Sequence, residues 1–183
     1  VTALISLSNS SNLPLRYVNS SPSTAITNTA TETVFDQIFT YPSQPNRYTL
    51  APTLIRMKAW GIVSTGLLNL GLTIQSRWGG ISGTVLASSG AITLASSLSQ
   101  QAWNADLTCV IQSTGSSGTM ESQGFLSVTA GLLSVSAASM SNISTISMST
   151  IASNDVVLTA QWTTAAAANS IQARLIHVLV DGP

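Results

Sequence analysis

Few residues in this chain are equipped for chemistry. It has one histidine, one cysteine and six carboxylates in 183 residues. A cysteine nucleophile needs a histidine to take its proton. Cys109 instead falls between Leu107 and Ile111 in an alternating apolar run, which reads as a small buried hydrophobe. His177 sits on the apolar parity of the last run, the place of a core or interface histidine. No serine lies in a G-x-S-x-G setting. Zinc would require clustered His and Cys ligands, which are missing. Calcium would require several oxygens in one loop. The closest acidic pair, Glu32 and Asp36, shares a strand face at i and i+4 and reads as two solvated side chains at a strand edge. No glycine-rich loop runs into Lys-Ser or Lys-Thr, so no phosphate cradle is written here. The expectation is a non-enzymatic chain without metal or cofactor.

Aromatic side chains offer another chemistry, stacking on the apolar face of a sugar ring. Of Trp60, Trp78, Trp103 and Trp162, Trp78 is the candidate for it, because it stands beside Gly79 and Gly80 in a turn. The competing reading for all four is core or subunit packing, which aromatics dominate.

The charge pattern narrows the partners. Charged residues make up 7% of the chain and the formal net charge is zero, against the usual level of about 25%. Arg16, Arg47, Arg56, Lys58, Arg77 and Arg174 are scattered, and only Arg56 and Lys58 are close. Phosphate backbones need clustered cations, so nucleic acid is not expected as a partner. No apolar run reaches the ~18 residues that span a bilayer, so no membrane partner is expected either. The first residues lack the basic and hydrophobic regions of a signal peptide. A neutral surface does little to keep free copies apart, which suits a protein docked in an assembly.

Two segments must position whatever these residues do. Residues 1–31 are Ser-, Thr- and Asn-rich, without helical periodicity. Leu4, Ile5, Leu7, Leu13, Leu15, Tyr17 and Val18 recur along them, which favours an extended arm ordering on a partner over a featureless leader. From residue 32 to 183 strand-like runs alternate with Gly, Pro, Ser and Asn. Thr33–Thr40 comes first. In Leu54–Val63 the odd positions are apolar or small and point inward, leaving Arg56 and Lys58 outside. Leu68–Arg77 alternates from Leu68 to Ile74. Two short strands follow in the glycine-punctuated segment after Trp78. In Trp103–Gln112, the residues Trp103, Ala105, Leu107, Cys109 and Ile111 face in. Thr119–Val128 continues the alternation, and residues 129–153 read as an extended connection with some added strand. Asp155–Thr163 and Ser170–Val180 close the chain, the last with Ile171, Ala173, Leu175, His177 and Leu179 on one face. About eight strands without an amphipathic helix predict an all-β, eight-stranded antiparallel jelly-roll sandwich with an extended N-terminal arm. An immunoglobulin-like sandwich would place about seven strands in ~100 residues, fewer than here.

The runs TVFDQIFTYPSQPNRYTLAPTLIRMKAWGIVST, GTVLASSGAITL, WNADLTCVIQSTGSSGTMESQGF and NDVVLTAQWTTAAAANSIQARLIHVLV resemble those of small virion proteins of tailed bacteriophages. The resemblance spans roughly residues 32–180. It implies a jelly-roll module that often trimerises and serves as capsid cement, or as part of a tail or receptor-binding fibre. On that footing the expected function is capsid decoration on the outer surface of a virion. The major capsid protein and further copies of the chain would be partners, with a tail or fibre module for receptor or glycan recognition as the alternative. The arm residues named above would then be the capsid-binding ones.

Overall fold

The computed structural model describes residues 14–36, 38–42, 50–68, 70–130 and 134–183. Leu4, Ile5, Leu7 and Leu13 lie outside the described residues. The described chain is entirely β, with thirteen strands. They are β1 (Leu15–Asn19), β2 (Ile26–Thr27), β3 (Thr33–Val34), β4 (Phe39–Tyr41), β5 (Thr53–Ser64), β6 (Gly71–Trp78) and β7 (Thr84–Ser88). Then come β8 (Ile92–Thr93), β9 (Gln101–Ser113), β10 (Gly118–Thr129), β11 (Val135–Met148), β12 (Asn154–Trp162) and β13 (Ser170–Asp181).

Two antiparallel sheets face each other. The larger runs β1-β13-β5-β9-β10-β11, with β2 also on β13; the smaller runs β3-β12-β6-β7, with β4 on β12 and β8 on β6. Taking β3 and β4 as one interrupted strand, β1-β13-β5-β9 and β4-β12-β6-β7 are the two four-stranded sheets of a jelly roll. The predicted fold class is therefore correct. The β10–β11 hairpin is added between β9 and β12, and it widens the larger sheet. Residues 129–153, expected as an extended connection with some added strand, contain all of β11. Their small side chains still alternate, and that is sufficient to pair along β10.

The N-terminal boundary needs correcting. Leu15 and Tyr17 are each 6% exposed and Ile26 is 4% exposed, all inside the core. β1 pairs with β13 from Leu15–Val180 to Asn19–Ile176. An independent arm therefore does not extend to residue 31, because residues 15–19 are the first jelly-roll strand. The alternation of Leu15, Tyr17 and Asn19 inward against Arg16 and Val18 outward is short, and the Ser- and Asn-rich flanks conceal it.

Aromatic rings bind the two sheets together. Phe35 stacks on Trp103 with centroids 5.6 Å apart and Tyr17 tilts against Phe39 at 5.8 Å, each between the sheets, while Tyr41 tilts against Trp78 at 4.9 Å within the smaller sheet. The buried indoles keep their hydrogen bonds: Trp103 Nε1 donates to the Gln172 carbonyl at 3.1 Å and Trp78 Nε1 to the Ser149 carbonyl at 3.1 Å. Each ring thus adds apolar area without leaving a donor unpaired.

The last strand also departs from expectation. Ile171 and Ala173 point inward, but beyond them Ile176, Val178 and Val180 are the buried residues, so Leu175, His177 and Leu179 face outward. The register with β5 shifts between Ala173 and Leu175, a bulge at Arg174 that reverses the parity. Both parities of this strand are apolar, so alternation alone does not reveal the reversal. Opposite Ala173 stands Gly61, where a Cβ would sit 1.9 Å from the Gln172 carbonyl oxygen. Only glycine lets the strands come this close at the bulge.

Candidate functional site

The features singled out for chemistry do not assemble. Cys109 is buried, and burial pushes its thiol up to about 12, away from nucleophilic use. It faces the core of β9, whereas His177 faces out from β13. Burial, then the charges of Arg16 and Lys58, hold the His177 imidazole below its usual value. Glu32 and Asp36 serve different contacts. Asp36 accepts from the Thr24 amide at 3.0 Å and its hydroxyl at 2.9 Å. Glu32 binds Arg77 on the outer face of the smaller sheet. Its carboxyl would be raised by burial, but hydrogen bonds from Arg77 and Thr159 and the guanidinium charge outweigh this and hold it low. Asp36 is exposed, as expected of a solvated side chain, but Glu32 is largely covered by its ion pair. Among the described residues no three His, Cys, Asp or Glu side chains gather to hold a metal ion.

Trp78 is excluded as a stacking platform. It is 4% exposed, packed against Tyr41, and its indole is tied to Ser149. The turn glycines bend the chain after it rather than uncovering it.

What the fold does present is the outer face of the larger sheet. Cross-strand register lays its side chains in rows. One row runs Val18, His177, Lys58, Asp106, Phe125 and Ser139 across six strands. Beside it run Leu175, Trp60, Asn104 and Ser127. On the other side lie Arg16, Leu179, Arg56, Thr108, Gln123 and Ser141. Trp60 is 46% exposed and Phe125 48% exposed. Lys58 Nζ meets Asp106 Oδ2 at 2.9 Å on the surface between them. Large apolar rings standing in water beside arginines are the composition of interface anchors.

At the β10–β11 end the same face holds a groove of about 530 Å³, lined from β9, β10 and β11 and including Thr108, Glu121, Gln123 and Ser141. A register shift between Met120 and Ser122 breaks the β10–β11 ladder there. Ser122 Oγ donates to the Leu86 carbonyl, and Asn142 Nδ2 to the Val85 carbonyl at 3.3 Å, tying the hairpin across the edge of β7.

Trp60 was legible in the sequence as an even, outward position of its strand beside Arg56 and Lys58. Glu121, Gln123 and Phe125 share one parity of β10, but nothing local links them to Thr108 and Ser141 on the neighbouring strands.

No protein-family model matches the chain, and no curated protein matches it. Among solved structures the chain is similar to the CBM2 module of the Lactobacillus casei BL23 phage J-1 evolved Dit, at 13% identity and a TM-score of 0.32. The match covers 97% of this chain and 79% of that one. A likeness so slight carries no function across.

Proposed function

We propose that this chain is a structural protein of a tailed-phage virion that decorates the capsid exterior, docking on the major capsid protein through the outer face of its larger sheet. The observation that carries this reading is Trp60. It stands half-exposed on the central strand β5, with Leu175 and Asn104 as its cross-strand neighbours and Lys58 and Arg56 further along the strand. An indole held in water by a rigid sheet gains when a partner covers it, and little side-chain entropy is then lost. The resemblance of residues 32–180 to small phage virion proteins supports the assignment, as does a neutral surface suited to permanent docking. A homotrimer fits the same reading, since three linked copies multiply a weak individual contact.

The reading is tested on purified particles. Hundreds of copies per particle place the chain on the capsid, whereas a handful place it on the tail and favour a tail or fibre module. Added back to particles that lack it, the full chain should bind, and Trp60→Ala should weaken binding by about tenfold or more. Unchanged binding by that variant removes this face from the contact.

A further inference from the structure

The groove at the β10–β11 end has a lining that specifies a ligand class. Thr108, Ser139 and Ser141 present hydroxyls, Gln123 an amide and Glu121 a carboxylate. Among the described residues no Lys or Arg lines it. Glu121 and Gln123 are exposed, and among the described residues neither makes an ion pair or a side-chain hydrogen bond. Five polar side chains therefore converge on one space with most of their bonding capacity unspent.

Each ligand class asks something different of such a space. A carboxylate in the lining, with Arg56 outside it on β5 across from Thr108, disfavours phosphate, acidic polymers and nucleic acid. A peptide adding as a strand pairs along a sheet edge, whereas this groove lies on the face of β9, β10 and β11. Sugar hydroxyls are donor and acceptor at once. A vicinal pair can donate to both oxygens of a carboxylate while accepting from an amide or a neighbouring hydroxyl. Pyranose rings also carry an apolar C–H face. Phe125, 48% exposed, follows Gln123 at the next outward position of β10, with Ser139 as its cross-strand partner. Its ring supplies the apolar surface beside the polar groups.

The platform is set before any ligand arrives. β10 pairs with β9 and, on either side of the break at Glu121, with β11, and Ser122 and Asn142 anchor the hairpin to β7. A backbone held in place limits the ordering cost of binding to the side chains. The volume, about 530 Å³, falls within the ~300–1,000 Å³ typical of small-ligand sites.

We infer that this groove binds a neutral saccharide chain, with Glu121 and Gln123 taking the hydroxyls and Phe125 supporting a ring. The site lies at the β10–β11 end of the outer face, while Trp60 stands on β5, so capsid docking centred on Trp60 must leave β10 and β11 uncovered for the groove to be filled.

Isothermal titration of the full chain tests this with chitohexaose, maltohexaose and cellohexaose as neutral probes and hexagalacturonate as the acidic one. At least one neutral probe should bind with a Kd of about 0.1–5 mM, and the acidic probe about tenfold more weakly or not at all. Glu121→Gln and Gln123→Ala should each weaken that binding about tenfold while thermal unfolding stays unchanged. No binding of any neutral probe at about 10 mM overturns the proposal. So does binding that both variants leave intact, a tighter fit for hexagalacturonate, or loss of binding in Trp60→Ala with the groove variants unaffected.

Discussion

Arg77 meets Glu32 side by side: Nε to Oε1 and Nη2 to Oε2, each at 2.7 Å, with both side chains 17% exposed. Arg77 lies on β6, and Glu32 immediately precedes β3, beyond the intervening strand β12. Thr159 of β12 donates to the same carboxylate at 2.5 Å, and Arg77 Nη1 reaches the Gly83 carbonyl at 2.9 Å. One ion pair thus straps the smaller sheet across three strands and fixes the turn after Trp78.

Removing Glu32 leaves a half-buried guanidinium without its acceptor, so Glu32→Ala should cost about 1–3 kcal/mol in urea unfolding. The pH sign follows from the carboxyl being held low. Its unfolded form takes a proton first, near the ordinary value of 4.5. The strap's contribution is therefore complete above that pH and is lost as pH falls through the lower folded value. Wild type should lose stability below about pH 4.5 more steeply than Glu32→Gln. Parallel pH–stability curves for the two would refute the role.

His177 predicts acid sensitivity in a higher window. Its imidazole is held low by burial and by Arg16 and Lys58, while Asp106 is occupied with Lys58. The unfolded chain binds a proton near 6.5 where the folded one does not. This contribution is present above pH 6.5 and declines as pH falls through the folded value. His177→Gln should flatten the stability profile in that interval. NMR titration of the imidazole with a midpoint at or above 6.5 would contradict it.

Gly61 holds the bulge that turns His177 outward. A methyl group there would meet the Gln172 carbonyl oxygen at 1.9 Å. Backbone must move to admit it, so Gly61→Ala should destabilise by about 1–3 kcal/mol. A variant as stable as wild type in urea would mean that β5 and β13 have room to separate.

Alternation with period two was readable wherever one parity was apolar and the other polar. That held for β5 and β9, where Met57, Ala59, Leu107 and Cys109 point inward as expected. It failed on β13, where both parities are apolar and Arg174 shifts the register. Low complexity hid β11, whose small alternating side chains give a weak signal until they are set against β10. The rows across the larger sheet were invisible for a related reason. Trp60 and Leu175, or Gln123 and Ser141, are neighbours only through strand register. Trp78 takes the packing role rather than the stacking one, which its flanking glycines left open because they signal a turn without saying which side of the sheet the ring enters.

Truncation separates the fold from any arm. β1 contributes Leu15 and Tyr17 to the core, and each buried side chain is worth about 1.5–3 kcal/mol. Its ladder to β13 also covers an edge that would otherwise be exposed next to the apolar face of the last strand. Ser23 extends this attachment: its amide donates to the Ala173 carbonyl at 2.8 Å, and its hydroxyl accepts from the Ala173 amide at 3.0 Å. A domain with about 5–15 kcal/mol of total stability cannot lose all of this and stay fully folded. Deleting residues 1–31 should therefore yield a protein that aggregates or unfolds at low urea. Deleting only residues 1–13 should leave the unfolding midpoint within a few tenths of a molar of wild type. If attachment to particles depends on Leu4, Ile5, Leu7 and Leu13, the shorter deletion will bind weakly while remaining folded. If it binds as tightly as the full chain, the contact belongs to the Trp60 face alone. A stable fold after the longer deletion would show that β13 does not need β1.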